Sequence, residues 1–233
     1  MDLTGRTIVV TGASRGIGRA TAERLASDGA TIVAGARDEA GLADLARHHE
    51  RLFVHPLDVR DPDAVDAFCA FARSCGDVDG LVANAGVGAF GPIERTTVAD
   101  WDLVFDVNVR GTFLMLRALL PDLRTRRGQV VAVTSDVSAR TFAGGGLYTA
   151  SKYAQRALLR ALQMEVASDG VRVTEVRPGV VATDFAGGTP RPADDGALAP
   201  EDVADAIAYA LTRPARLRVD EILLHPHGQT PEF

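Results

Sequence analysis

Cysteine and tryptophan are scarce in this chain of 233 residues: Cys69, Cys75 and one tryptophan are the whole complement. The two thiols stand about 240° apart around an expected helix, which excludes a mutual bridge and leaves two reduced packing groups. Positive charge is not in excess either. With 25 basic and 31 acidic residues the formal charge is −6, so nothing draws the chain to a phosphate backbone or an anionic lipid surface. Nucleic acid and membrane partners are therefore not expected. No apolar run reaches the roughly 20 residues that span a bilayer, and the opening Met1-Asp2-Leu3-Thr4-Gly5-Arg6 lacks a signal peptide's apolar stretch. A cytoplasmic location is the expectation. His48, His49, His225 and His227 have no companions at metal-cage spacing, so no metal is expected. What the chain does have is 46% hydrophobic and 24% charged residues, enough for one domain with a sizeable core.

Apolar, β-branched segments alternate with segments rich in Ala, Leu and Arg. The expected strands are 6–11, 30–36, 52–57, 80–83, 129–135, 171–177 and 219–224. The expected helices are 17–28, 39–50, 62–74, 97–121, 148–168 and 200–212. Continuous apolar strands, each followed by a helix, imply an α/β domain whose parallel sheet is doubly wound and covered on both faces. Ligands of such sheets bind beyond the carboxyl ends of the strands, at the switch in winding direction. Residues 184–199, dense in Gly, Pro and Asp, fit no element and read as a mobile loop over the ligand.

The first strand runs into Thr11-Gly12-Ala13-Ser14-Arg15-Gly16-Ile17-Gly18. Glycines there let the backbone approach a pyrophosphate, which free amides and the positive end of the following helix would hold. By itself such a turn is also compatible with a plain strand-to-helix connection. The second strand ends Gly35-Ala36-Arg37, where an NAD-binding fold often carries an acidic residue. Arg37, with Arg15 as a second cation, suits a 2′-phosphate and favours NADP(H). Asp38 turned inward would select NAD instead.

Tyr148 and Lys152, in Tyr148-Thr149-Ala150-Ser151-Lys152, share one helix face. A free phenol has a pKa of about 10, and a neighbouring ammonium lowers it toward useful acid–base chemistry. Ser135 closes the fifth strand, where its hydroxyl reaches a substrate carbonyl. Asn108 and Gly111 are poor helix formers inside a long helical stretch, which marks a kink or a water site. Asp136 after Ser135 reads as a turn cap in preference to a substrate contact.

These segments together resemble the short-chain dehydrogenase/reductase family over essentially the whole chain. TGASRGIG at 11–18, Asp58 in LDV, NAG at 84–86, NVRG at 108–111, Ser135, YTASK at 148–152 and PGVVAT at 178–183 carry the resemblance. It implies a Rossmann fold with a seven-stranded sheet and a catalytic tetrad of Asn108, Ser135, Tyr148 and Lys152. It further implies that NADP(H) is held by Gly12, Ser14, Arg15, Gly16, Ile17 and Gly18, and by Arg37, Asp58 and Val59. Asn84, Ala85, Gly86, Tyr148, Lys152, Pro178, Gly179, Val181 and Thr183 complete that set. Asp58 is placed near the adenine, Asn84 in the central strand region and Thr183 near the carboxamide. The implied activity is hydride transfer between NADP(H) and a small ketone, aldehyde or hydroxy compound. Tyr148 is its general acid/base, and Asn108 orders a water that links Lys152 to solvent. The competing reading is a catalytically silent NADP(H) sensor on the same fold. Helices at 112–120 and 154–162 imply a homodimer or homotetramer.

Overall fold

A computed structural model describes residues 2–185, 192–193 and 196–229. Seven parallel strands form one sheet in the order β3-β2-β1-β4-β5-β6-β7. They are β1 (Thr7–Thr11), β2 (Thr31–Ala36), β3 (Leu52–Pro56), β4 (Val78–Ala83), β5 (Gln129–Val133), β6 (Arg172–Pro178) and β7 (Glu221–Leu224). The helices are α1 (Gly16–Ser27), α2 (Glu39–Ala46), α3 (Pro62–Cys75), α4 (Val98–Phe105), α5 (Thr112–Arg126), α6 (Gly146–Glu165) and α7 (Pro200–Leu211).

Each strand presents alternate residues to opposite faces, and both faces are dry. On one, Val9, Leu81 and Val130 meet Phe68 of α3, Leu119 of α5 and Leu159 of α6. On the other, Ile8, Val10 and Val131 meet Leu25 of α1, Leu42 of α2 and Ile207 of α7. The chain winds outward from β1 to β3, then returns through α3 to place β4 beside β1. The crevice that binds ligands in such sheets opens where those two directions part.

The expected helix 97–121 is broken. Thr97 caps α4 through a reciprocal bond with Asp100, and residues Asp106–Gly111 then widen into a π turn before α5 begins. This is the kink that Asn108 and Gly111 foreshadow. The fifth strand stops at Val133, short of Ser135, because residues Asp136–Ser138 turn as a 3₁₀ segment capped by the Ser135 hydroxyl. Cys69 and Cys75 are free. Much of the expected loop 184–199 lies outside the described residues; within it Leu198 pairs with Val181. No helix among the described residues is long and apolar enough to cross a membrane.

Candidate active site

A cleft of about 610 Å³ opens at the switch point, lined by the glycine turn, the ends of β2, β4 and β5, Lys152, and residues 183–185. Thr11 and Asn84 join its two sides. The Thr11 hydroxyl accepts the main-chain N–H groups of Asn84 and Ala85, both at 3.1 Å. The Asn84 carboxamide donates to the carbonyls of Thr11 (3.0 Å) and Gly12 (3.2 Å). Gly18 packs so closely under the turn that a Cβ there would lie 2.2 Å from the Gly12 oxygen. No side chain fits, so α1 starts directly beneath the turn with its amide end toward the cleft.

Gly12, Ser14, Arg15, Gly16, Ile17, Arg37, Asp58, Val59, Asn84, Ala85, Gly86, Lys152 and Thr183, from the expected cofactor set, line this cleft. Gly18, Tyr148, Pro178, Gly179 and Val181, from the same set, do not. Pro178 is buried, the Gly179 amide is tied to the Leu224 carbonyl at 2.8 Å, and Val181 packs toward the apolar layer of α1, α2 and α7. Asp58 faces the cleft, but Arg60 grips its carboxylate through two nitrogens, the shorter contact 2.6 Å. That bond holds Asp58 below the usual carboxylate range. Asp38 caps α2 by accepting the Gly41 amide at 3.1 Å, and Arg15 pairs with Asp184.

Ser135, Tyr148 and Lys152 gather at the other end. Tyr148 lies between two aromatic edges, with ring centroids 5.3 Å from Phe90 and 5.5 Å from Phe185. Burial pushes its phenol up to about 12; a hydrogen bond with Ser135 pulls it back and the Asp136 charge adds to the rise. Lys152 is 3% exposed; burial lowers its ammonium to about 7 while Glu175 opposes the shift. Lys152 does not figure among the causes of the Tyr148 shift. The lysine nitrogen sits 5.7 Å from the centroid of the tyrosine ring, and both groups are chiefly governed by loss of water.

Asn108 is fully buried. Its carboxamide accepts the Val87 amide at 2.9 Å and donates to the Val87 carbonyl and the Ser151 hydroxyl, each at 2.9 Å. Its link to Lys152 runs through protein atoms. Lys152 donates to the Gln155 oxygen (3.0 Å), Gln155 donates to the Thr112 hydroxyl (2.9 Å), and Thr112 donates to the Asn108 carbonyl (2.8 Å). Sequence reasoning missed Gln155 and Thr112, although both fall one helical turn from a marked residue. It also misread Asp136, which is 4% exposed. Asp136 accepts the Ser135 hydroxyl (3.0 Å), the Gln229 amide (2.8 Å) and the Arg140 guanidinium (2.5 Å). A buried carboxylate with three donors is a fixed part of the site, and those donors keep it ionised below its ordinary range against burial. Thr134, Asp184 and Phe185 line the cleft and were also missed. Among the described residues no His, Cys, Asp and Glu cluster could hold a metal ion.

The family model for short chain dehydrogenases matches residues 6–193. A glycine betaine reductase of Emericella nidulans is 38% identical over 97% of this chain, which spans 19% of that much longer protein. An uncharacterized oxidoreductase of Staphylococcus saprophyticus is 34% identical over 97% of this chain and 99% of its own length. The solved alcohol dehydrogenase of the archaeon Thermococcus sibiricus, in complex with 5-hydroxy-NADP, superimposes with a TM-score of 0.93 at 40% identity. It covers 98% of this chain and 99% of its own. Glycine turn, sheet order and these matches agree: the chain belongs to the short chain dehydrogenase family of oxidoreductases.

Proposed function

We propose that the protein is an NADPH-dependent carbonyl reductase, or an alcohol dehydrogenase in reverse. The observation that carries this reading is the gathering of Ser135, Tyr148 and Lys152 where the nucleotide cleft ends. The cleft fits a dinucleotide: its glycine turn leaves no room for a Cβ at Gly18 and Arg37 lines it at the end of β2. Arg37 would meet the 2′-phosphate, joined by Arg15 if its pairing with Asp184 gives way; Asp38 also lines the cleft, one of its oxygens capping α2. The Thermococcus relative carries an NADP derivative, which supports the same preference. NADPH, when bound, supplies the hydride.

The chain's own groups handle the oxygen. Ser135 positions the substrate carbonyl and Tyr148 donates its proton to the developing alkoxide. A phenol raised to about 12 carries its proton throughout the neutral range and can yield it to an alkoxide, which is the stronger base. Lys152, lowered to about 7, exchanges its proton near neutral pH and is the near source of a proton for the phenol, while Gln155 and Thr112 hold its nitrogen in place. A homodimer or homotetramer accompanies this function. A groove lined by Phe113, Leu116 and Leu120 of α5 and Leu158 and Leu162 of α6 offers an apolar surface for such a contact.

The test follows reduced nicotinamide absorbance across ketones, aldehydes and keto acids. Replacing Tyr148 by Phe is expected to lower kcat by about 10²–10⁴-fold while NADPH still binds. Faster oxidation of NADH with every acceptor, or full turnover in that variant, refutes the reading.

A further inference from the structure

We propose that the substrate is an uncharged carbonyl compound whose carbonyl is attached to an aromatic or bulky apolar group, and that keto acids are poor substrates. This rests on the carbonyl reductase reading. The inference comes from the wall beside Tyr148. Phe90 is 50% exposed, Phe142 40% and Phe185 37%, yet they are not scattered. Phe90 stands 6.2 Å from Phe142 and 5.3 Å from Tyr148, and Phe185 closes the row 5.5 Å from Tyr148 on another side.

Two glycines make this wall possible by close approach. A Cβ at Gly88 would lie 2.8 Å from the Phe185 ring and 2.9 Å from that of Phe90, and one at Gly145 would lie 2.4 Å from Phe142. Glycine in the Gly144-Gly145-Gly146 run therefore has a packing role: at Gly145 it seats an aromatic ring against the backbone. Exposed rings held together over glycines form a continuous apolar surface, and such surfaces on a monomer mark a binding site.

Charge points the same way. Clamping a carboxylate calls for a guanidinium in bidentate reach. At this end of the cleft Arg140 is engaged by Asp136 and Arg177 by Glu221. Asp136, next to Ser135 (3.0 Å), already takes up the Arg140 guanidinium, so an anionic substrate finds no open clamp there. In the reaction the carbonyl π bond opens, carbon gains hydride from the dinucleotide and oxygen gains the Tyr148 proton. The products are an alcohol and oxidised dinucleotide, with no net charge needed on the substrate.

Acetophenone, acetone and pyruvate with NADPH test the inference. Acetophenone is expected to exceed pyruvate in kcat/KM by about 100-fold, since apolar burial and the lack of an open clamp act together. Phe90→Ala, at an exposed ring whose loss leaves the core intact, is expected to lower the acetophenone-to-acetone ratio about tenfold, the scale of one lost aromatic contact. Pyruvate turned over as well as acetophenone, or a ratio unmoved by Phe90→Ala, overturns it. Calorimetric binding of 1-phenylethanol and lactate to the protein with NADP⁺ separates the two proposals. Tighter phenylethanol without turnover of any carbonyl removes the reductase reading and keeps the aromatic site; tighter lactate removes the site.

Discussion

At the nucleotide end of the cleft, Thr11, Gly12 and Asn84 join β1 to β4 through main-chain groups, one hydroxyl and one carboxamide. At the substrate end, Asp136 and Arg140 meet Gln229 through side chains, and Arg177, itself paired with Glu221, reaches the Asp136 main-chain carbonyl, joining three separated stretches. The first arrangement depends on what is left out, since a single methyl group at Gly18 has no space. The second depends on charges finding each other within a buried layer. Glu175 and Arg177 stand in β6 at 3% and 7% exposure, with Glu175 bonded to Thr134 and Ser138. A parallel strand buried on both faces is ordinarily apolar, so this strand is stable only while each charge keeps its partner.

Gly18→Ala strains that contrast most. The new Cβ would strike the Gly12 oxygen, which is backbone and cannot swing aside. Overpacking of this kind is expected to cost about 3 kcal/mol, lowering Tm by roughly 6–12 °C at this chain length. NADPH binding is expected to weaken with it. Gln229→Ala, at the other end, removes one of three donors to Asp136 and is expected to shift Tm by a third of that or less. Thermal melts of the two variants measure the difference; equal losses would erase the distinction.

Arg37→Asp comes next. The guanidinium lines the cleft at the end of β2, and a charged hydrogen bond contributes about 1.5–3 kcal/mol. The ratio of kcat/KM for NADPH over NADH is expected to fall at least about tenfold, with acetophenone-to-pyruvate selectivity unchanged. A change in substrate selectivity would show that the two ends are coupled.

The same difference explains what was legible in the sequence. All seven strands and the switch point follow from apolar runs and their spacing, and Gly12, Gly18 and Asn84 stand in contiguous motifs. These are local signals. Asp136 looked like a turn cap because its partners Arg140, Gln229 and, through the main chain, Arg177 are assembled only by the fold. Pro178, Gly179 and Val181 stand in a motif as recognisable as the others, yet the chain turns Val181 toward the core. The π turn at Asp106–Gly111 was readable as a defect and not as a shape. Poor helix formers signal where a helix fails; the carbonyl geometry that results depends on Val87, Ser151 and Thr112.

Lys152 sits between the two ends and is the single lysine of the chain, so one side-chain nitrogen resonance reports it. Titration is expected near pH 7 in place of the ordinary 10.5. Between those values the unfolded chain binds a proton that the native one has released, so this group makes stability rise with pH across that window. The Tyr148 phenol, raised from 10 to about 12, acts oppositely above pH 10: the unfolded state has lost its proton first, and stability falls as pH rises. A Lys152 midpoint near 10 would show that water reaches the ammonium.

Gln155→Leu carries the smallest expected effect and the sharpest question. Gln155 is buried, accepts from Lys152 and donates to Thr112, so its carboxamide fixes the position of the lysine nitrogen that resupplies the Tyr148 proton. Leucine keeps the volume and removes both bonds. If Gln155 only packs, kcat and its pH profile stay as they are and melting alone shifts. As a positioning residue it is expected to lower kcat about three- to tenfold, the scale of one lost hydrogen bond to a charged group, with KM for NADPH unchanged. The Lys152 midpoint is expected to fall further, because the ammonium loses an acceptor in a buried site. Gln155→Glu is expected to raise that midpoint by placing a carboxylate at the same 3.0 Å. Opposite displacements in these two variants separate a group that positions and tunes the ammonium from a filler of space.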